Sequence, residues 1–198
     1  MNKAFESLCA SFARLPGMGR KSAERAALHL AFADRKQAEI LIENLRRALD
    51  VLTPCPKCCG ISENNALCEI CSDSSRNLSS VCLVETAADM AAIEKSGAWR
   101  GSYHVLGGKI SPIKNITPND LNFKVLEERA QRGEISEIVL ALSNDMEGEA
   151  TCHYISKAIA EKFGISLSRI GFGLPNGSQL GFADTGTIKS ALASRKVF

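Results

Sequence analysis

The sequence CPKCCGISENNALCEIC, residues 55–71, contains two C-x-x-C pairs separated by nine residues: Cys55 with Cys58, and Cys68 with Cys71. A C-x-x-C pair places two thiolates on one tight turn, and two facing turns complete the tetrahedral sulfur shell that Zn²⁺ prefers. Because four protein ligands leave no open coordination position, we expect a structural zinc site. Two disulfides or four buried thiols are the alternatives, and Cys59 offers a second sulfur next to Cys58.

The composition is that of an ordinary globular protein from a reducing compartment. The 198 residues are 45% hydrophobic, which is enough for one sizeable core and a smaller lobe. No apolar run is long enough to span a membrane, and the first residues lack a signal-peptide pattern, so we expect a bacterial-type cytoplasm. Eight cysteines are too few for a disulfide scaffold. Three of them lie in apolar contexts that predict buried thiols: Cys9, Cys82 and Cys152.

The N-terminal segment predicts two helices joined by a glycine turn. Apolar residues recur at helical spacing from Phe5 to Leu15, and the sequence PGMG at 16–19 must break that helix. In the next helix, Lys21, Arg25 and His29 recur every fourth residue on an outward face, opposite an apolar face of Ala23, Ala26, Ala27 and Leu30. The turn resembles a helix-hairpin-helix motif, in which glycines let backbone N–H groups approach a DNA phosphate.

The positive charges of this segment favour DNA binding over a purely structural helical hairpin. Residues 1–54 carry nine Lys and Arg against six acids. Arg20 and Lys21 open the second helix, where positive charge opposes the helix dipole unless an anion is bound nearby. We therefore assign DNA binding that does not read sequence to five residues: Gly17, Gly19, Arg20, Lys21 and Arg25.

A third helix is predicted from about Arg35 to Leu52. Its apolar residues Ile40, Leu41, Leu45 and Ala48 recur at helical spacing. We expect these side chains to point inward and the helix to pack on the first two.

After residue 80, short apolar runs alternate with helical patterns. Strands are predicted at 81–84, 103–106 and 137–142, and helices at 87–95, at 118–133 and from Glu147 onward. This alternation predicts a mixed α/β fold with a largely parallel sheet, in which functional groups gather beyond the carboxyl ends of the strands.

Four acidic residues are predicted to meet at that edge of the sheet: Glu85, Asp145, Glu147 and Glu149. They could hold Mg²⁺ for phosphoryl transfer, or the last two could simply complement a helix dipole. No Lys or Arg lies between Arg132 and Lys157, so we expect a strongly negative local field that attracts a basic partner protein. Patterns for a P-loop or a hydrolase triad do not occur.

The order of these segments resembles the RecR family of recombination-repair proteins. The resemblance rests on LPGMGRKSA at 15–23, the four cysteines, YHVLGG at 103–108, EGEAT at 147–151 and GLP at 173–175. It implies a helix-hairpin-helix region (1–54), a four-cysteine zinc finger (55–80), a Toprim domain (81–175), and a C-terminal tail and helix in oligomer contacts (176–198). Two positions depart from related patterns. Ser143 stands where the catalytic Toprim pattern D-x-D-x-E-G-E has its first aspartate, and RecR proteins lack that aspartate too. Cys59 stands where relatives usually carry Gly.

The resemblance implies a DNA-binding mediator and no enzyme. Such a protein would form a dimer or a tetrameric ring with one structural zinc per chain, and would bind single-stranded, double-stranded and gapped DNA at the nucleoid. It would act with RecF-like and RecO-like proteins to load RecA at single-strand gaps. The alternatives are a Mg²⁺-dependent Toprim nuclease or topoisomerase-like enzyme, disfavoured by Ser143, and a zinc-ribbon adaptor for proteins only, disfavoured by the basic helix face.

Overall fold

The structure is a computed structural model that describes residues 2–33, 35–174, 177, 179–193 and 195, without the side chains of Ala33 and Ala193. It divides into two compact units, residues 1–52 and 53–198. Among the described residues, no helix is both long and apolar enough to cross a membrane.

The first unit consists of three helices: α1 (Lys3–Ala13), α2 (Arg20–Leu28) and α3 (Arg35–Val51), with a π-helical turn at His29–Ala33 before α3. The Asn2 side chain begins α1 by accepting a hydrogen bond from the Ala4 N–H at 2.9 Å. Ala23 and Ala27 of α2 are buried where α1 and α2 pack, which small side chains permit. The two predicted helices and the break between them are confirmed.

The third helix forms where it was predicted, but the predicted inward face is wrong. Ile40, Leu41 and Leu45 are all exposed, and α3 has no buried residue. With Leu49, 84% exposed, Leu41 and Leu45 form an apolar stripe at four-residue spacing that we call the α3 stripe. A unit of three short helices has too little interior to bury this stripe as well as the α1–α2 contact.

A small knuckle follows the first unit. Strands β1 (Leu52–Pro54) and β2 (Ile61–Glu63) form a two-stranded sheet, and α4 (Glu69–Ser72) is a single helical turn. The two C-x-x-C pairs lie on the turn that joins the strands and at the start of α4, so this element consists of little besides its metal-ligand candidates.

The core of the second unit is a parallel sheet. It contains β3 (Asn77–Val84), β4 (Gly101–Val105), β5 (Glu137–Ala141) and β6 (Ser166–Arg169), in the order β4-β3-β5-β6. The main helices are α5 (Ala87–Ser96), α6 (Phe123–Gln131), α7 (Met146–Ile155) and the C-terminal α9 (Thr185–Ala193). A π-helical turn at Ser156–Ala160 and the short α8 (Glu161–Phe163) continue α7. The predicted mixed α/β class with a parallel sheet is confirmed.

The predicted helix over 118–133 is divided in two. A 3₁₀ turn spans Pro118–Asp120, and α6 begins only at Phe123. The reason is Asn122, whose backbone N–H bonds to Leu106 O and whose side-chain amide bonds to Val105 O, each at 2.9 Å. Because the Asn122 N–H donates to Leu106 O at the end of β4, it cannot also form the hydrogen bond that would continue a helix through this position.

Candidate functional site

The glycine turn between α1 and α2 exposes backbone N–H groups. Gly17 has a φ of 76°, a left-handed conformation that favours glycine. Gly19 precedes the first residue of α2 and supplies no side-chain cap, so the N–H groups of the first helical turn face solvent. An uncapped helix N-terminus beside a glycine turn can bind an anion, because glycine has no side chain to block its approach.

Three exposed cations lie on α2, two of them at its start beside the glycine turn. Arg20, Lys21 and Arg25 are exposed, and within the described part of the chain no carboxylate forms an ion pair with any of them. His29 differs, because its Nε2 lies 2.9 Å from Gln37 Oε1 and the ring joins the start of α3. Four of the five predicted DNA-binding residues therefore lie at the turn and the start of α2, whereas Arg25 lies in the last turn of α2.

The four cysteine sulfurs of the knuckle converge. Sγ atoms of Cys55, Cys58, Cys68 and Cys71 all lie within 4.8 Å of one another, and all four side chains are buried. Zn–S bonds of about 2.3 Å place the sulfurs of a tetrahedral site about 3.8 Å apart, so a small contraction fits the cluster to zinc.

Backbone N–H groups already point at the sulfurs. Gly60 N–H donates to Cys58 Sγ at 3.4 Å, and Cys68 N–H donates to Cys55 Sγ at 3.5 Å. The Cys71 thiol and the Gly60 N–H hold the pKa of Cys58 below its usual range. Donors of this kind stabilise thiolates and orient metal ligands. The residues fit a structural metal ion that would tie the β1–β2 turn to α4.

Cys59 lies outside the four-sulfur cluster. Its side chain packs against the buried cluster of Cys82, Val84, Tyr103 and Val105 on the sheet, and burial raises the pKa of its thiol to about 11. The sulfur next to Cys58 is thus directed away from the ligand set. Of the other three thiols, Cys82 and Cys152 are buried as predicted, whereas Cys9 is only partly buried.

The knuckle is fastened to the outer strand of the sheet. Val105 N–H of β4 donates to Cys58 O at 2.8 Å. Arg129 of α6 is completely buried, and its guanidinium donates to Lys57 O and to Tyr103 O, each at 3.3 Å. The buried Arg129 side chain therefore joins Lys57, which lies between Cys55 and Cys58, to the edge strand β4.

The sheet topology brings the four predicted carboxylates to one edge. Glu85 follows β3, and its Oε1 accepts the Ser143 N–H at 2.6 Å just beyond β5. Asp145 caps α7 by accepting the Gly148 N–H at 2.7 Å. Gly148 is required there, because a Cβ atom would lie 2.1 Å from Ser143 O. Glu147 and Glu149 occupy the first turn of α7.

The predicted strongly negative field is wrong, because three cations from other elements pair with these carboxylates. Lys109 Nζ lies 2.5 Å from Asp145 Oδ2, Lys114 Nζ lies 3.5 Å from Glu147 Oε2, and Arg169 Nη1 lies 2.5 Å from Glu149 Oε1. Lys109 and the Gly148 N–H together lower the pKa of Asp145 to about 2. The prediction considered only the segment between Arg132 and Lys157, and all three cations lie outside it.

A signal for two of the missed cations was present in the sequence. Lys109 follows the end of β4 by a few residues, and Arg169 is the last residue of β6. In a parallel sheet both positions fall at the same edge as Glu85 and Asp145. Lys114 lies in a long loop, and no local pattern places it.

Comparison with known proteins identifies the family. A model of the RecR helix-hairpin-helix region matches residues 5–49, and a Toprim domain model matches residues 79–171. Recombination protein RecR of Saccharophagus degradans is 44% identical over 191 residues, which are 96% of this chain and 96% of the relative. The chain belongs to the RecR family.

Other RecR proteins align over similar lengths. Those of Beijerinckia indica subsp. indica and Desulfatibacillum aliphaticivorans are 42% and 39% identical to this chain, over 98% and 96% of its length and 95% and 94% of theirs. The resemblance to RecR stated from the sequence is therefore confirmed. The RecR helix-hairpin-helix match falls in the first compact unit, and the Toprim match falls in the second.

Proposed function

We propose that this RecR-family protein is a DNA-binding recombination mediator without catalytic activity of its own. The observation that carries the proposal is the glycine turn, where Gly17 and Gly19 expose backbone donors beside Arg20 and Lys21, with Arg25 exposed further along α2. This surface matches a phosphate in charge and in hydrogen-bond donors. It offers no element that would enter a groove to read bases, so binding should be independent of sequence.

The test is the double substitution Lys21→Ala with Arg25→Ala. Both side chains are exposed and lie on a helix, so alanine should leave the fold intact. We expect weaker binding to single-stranded, duplex and gapped DNA alike, and a salt dependence whose slope falls by about 2, because each lost phosphate contact removes close to one unit. Fluorescence anisotropy over a salt series measures both quantities.

The matched control removes two exposed lysines elsewhere, Lys95 and Lys124, by the same change to alanine. It should leave the slope unchanged. If both double variants weaken binding equally, general charge and not the hairpin is responsible.

Gly19→Ala separates backbone approach from charge. Gly19 has a φ of −75°, and a Cβ atom there would meet no atom within 4 Å, so the free protein accommodates alanine. The added methyl group would stand between the N–H groups of α2 and a phosphate. Weaker DNA binding with an unchanged melting temperature would support direct backbone contact, and unchanged binding would argue against it.

We propose zinc as the ion of the four-cysteine cluster. Four thiolates with tetrahedral spacing select Zn²⁺ among the common cellular cations that need no redox chemistry. When bound, the ion would hold the knuckle together and would take no part in a reaction, because its coordination shell is complete.

For the wider role, we propose that the protein acts with RecF-like and RecO-like proteins to load RecA at single-strand gaps in the bacterial nucleoid. We also propose that copies associate into a dimer or a tetrameric ring. The exposed α3 stripe supports self-association, because a monomer gains nothing from presenting three leucines to water.

We propose that the basic partner, a RecO-like protein, binds at the acidic cluster of Glu85, Asp145, Glu147 and Glu149. All four carboxylates are already paired with cations, so a partner has to exchange with Lys114 or Arg169 and use neighbouring apolar surface. A cavity of about 320 Å³ beside the cluster, lined by Glu85, Ile93 and Ile170 among others, supplies that surface.

Glu149→Lys should abolish partner binding in a pull-down and leave DNA affinity intact or raised. Glu161→Lys is the matched control, because Glu161, like Glu149, is an exposed helical carboxylate paired with a cation, in its case Lys157. Equal loss in both variants would contradict this surface.

A further inference from the structure

Lys109 places its ammonium group inside the acidic cluster. Its Nζ lies 2.5 Å from Asp145 Oδ2, 2.7 Å from Ser143 Oγ and 3.8 Å from Glu85 Oε2. The side chain is only 17% exposed, although lysine ordinarily extends into solvent. Asp145 and Glu85 raise the pKa of this amine, so it remains charged.

The ammonium stands where carboxylates of two neighbouring strands converge. Glu85 ends β3 and Asp145 follows β5, and these strands are adjacent and parallel. Oxygen ligands from neighbouring strands at this edge are what a hard divalent cation such as Mg²⁺ requires. The same oxygens also suit an ammonium group, which donates three hydrogen bonds.

We infer that Lys109 is the resident cation of this cluster, and that its ammonium group occupies the position a divalent ion would need. It neutralises Glu85 and Asp145, and it fixes the Ser143 hydroxyl between them. The inference concerns this cation position alone and is independent of DNA binding and of any partner protein.

The remaining carboxylate oxygens are engaged as well. Glu85 Oε1 accepts the Ser143 N–H, and Asp145 Oδ1 accepts the Gly148 N–H. Glu147 accepts the Ser111 hydroxyl at 2.5 Å and faces Lys114, while Glu149 faces Arg169. A divalent ion entering the intact cluster would have to expel an ammonium group covalently tethered to the chain, which makes the competition intramolecular.

Removal of the amine should therefore create a divalent-cation site. Without Lys109, no other cation of the described residues pairs with Glu85 or Asp145, and two adjacent carboxylates attract an external ion. Lys109→Met keeps the length and the apolar stem of the side chain but lacks its charge.

The experiment titrates Mn²⁺, followed by electron paramagnetic resonance of the free ion, into zinc-loaded wild type and Lys109→Met. We expect the variant to bind one Mn²⁺ about tenfold or more tightly than the wild type. Adding Glu85→Gln to Lys109→Met should remove the gained site. Lys114→Met, which removes an exposed lysine whose one carboxylate partner among the described residues is Glu147, should gain nothing.

Two results would overturn the inference. One is a wild-type protein that binds Mn²⁺ as tightly as Lys109→Met and loses that binding in Asp145→Asn. The other is a folded Lys109→Met that binds no better than the wild type. Should the methionine variant fail to fold, Lys109→Gln keeps a hydrogen-bond donor toward Asp145 and is read by the same criteria. Tight Mn²⁺ binding by the wild type would overturn the inference whether or not the methionine variant folds.

Discussion

Cys59 adopts a left-handed backbone conformation, with a φ of 58°, directly after the second cysteine of the first pair. Glycine takes this conformation at little cost, whereas a residue with a Cβ atom is strained there. The thiol turns toward the sheet and not toward the four-sulfur cluster. Strain and side-chain direction together indicate that Cys59 contributes packing and no metal ligand.

We predict that Cys58→Ser loses most of its zinc and much of its stability, whereas Cys59→Ser keeps one zinc per chain. A missing ligand opens the tetrahedral shell, and the binding free energy of a structural ion is folding free energy. Elemental analysis of purified protein and thermal unfolding measure the two effects. Folded wild type without zinc, or equal zinc loss in both variants, would contradict the ligand assignment.

His104 is a buried neutral side chain in β4. Its Nε2 donates to Asn122 O at 2.9 Å, and the other ring nitrogen has no partner among the described residues. Burial, with a smaller contribution from Arg129, lowers the pKa of His104 to about 3. The unfolded chain titrates near 6.5, so below that pH only the unfolded state takes up the proton.

Acid should therefore destabilise the protein through His104 as the pH falls from about 6.5 toward 3. At pH 4.5 the loss relative to pH 7 should be about 3 kcal/mol from this residue alone. His104→Gln retains a donor for Asn122 O and cannot titrate, so the difference between pH 7 and pH 4.5 should shrink by that amount. Urea unfolding at both pH values measures it.

Zinc release at low pH does not obscure the comparison, because wild type and variant share the same knuckle. His153→Gln, at an exposed position, serves as the control and should behave like the wild type. An acid loss that is equal in wild type and His104→Gln would show that carboxylates or the metal centre govern acid unfolding instead.

Among the elements, Arg129 of α6 joins the knuckle to the sheet through its side chain. Its guanidinium is buried and spans Lys57 O and Tyr103 O. A dication held by four thiolates retains net negative charge, which a buried cation nearby offsets. We predict that Arg129→Met lowers the free energy of unfolding by about 2–4 kcal/mol, because buried carbonyl groups lose their donor.

The same variant should release zinc faster to a competing chelator, since the compensating charge is gone. Arg132→Met is the control, because Arg132 is 60% exposed and its ion pair within the described part of the chain is with Glu134 at the surface. It should change neither quantity measurably. If Arg129→Met unfolds earlier but releases zinc at the wild-type rate, Arg129 supports packing only.

The elements that the sequence predicts well are those with a strong local pattern. The continuous apolar run of β3 and the paired cysteines needed no knowledge of the rest of the chain. The strand β6 was missed, although Ile165 and Leu167 alternate with Ser166 and Ser168, because four residues give little periodicity. The partners of Asp145 and Glu149 could not be found locally, since only the sheet topology brings Lys109 and Arg169 to them.

At the scale of the whole molecule, the exposed α3 stripe bears on whether the protein is a monomer or associates with further copies of itself. Leu45 is 55% exposed and Leu49 is 84% exposed, at four-residue spacing on the same helix face. We predict that Leu45→Glu shifts the native mass toward a smaller assembly, because a carboxylate in an apolar contact between copies costs its desolvation. Native mass spectrometry, with and without DNA, gives the size directly.

Ile113→Glu is the matched control, because Ile113 is 92% exposed in a loop of the second unit. It should leave the mass unchanged. An identical mass for wild type and Leu45→Glu would place self-association elsewhere on the chain and leave the α3 stripe for a different partner.

The attachment of the knuckle to β4 affects how readily the chain aggregates in the cell. β4 is an outer strand of the sheet, and an outer strand with free N–H and C=O groups is a template for polymerisation. The knuckle covers that border through Cys58 O on Val105 N–H, while Arg129 covers Tyr103 O. Loss of the proposed ion would loosen this cover and expose the edge of β4, so metal starvation should favour aggregation of newly made chains.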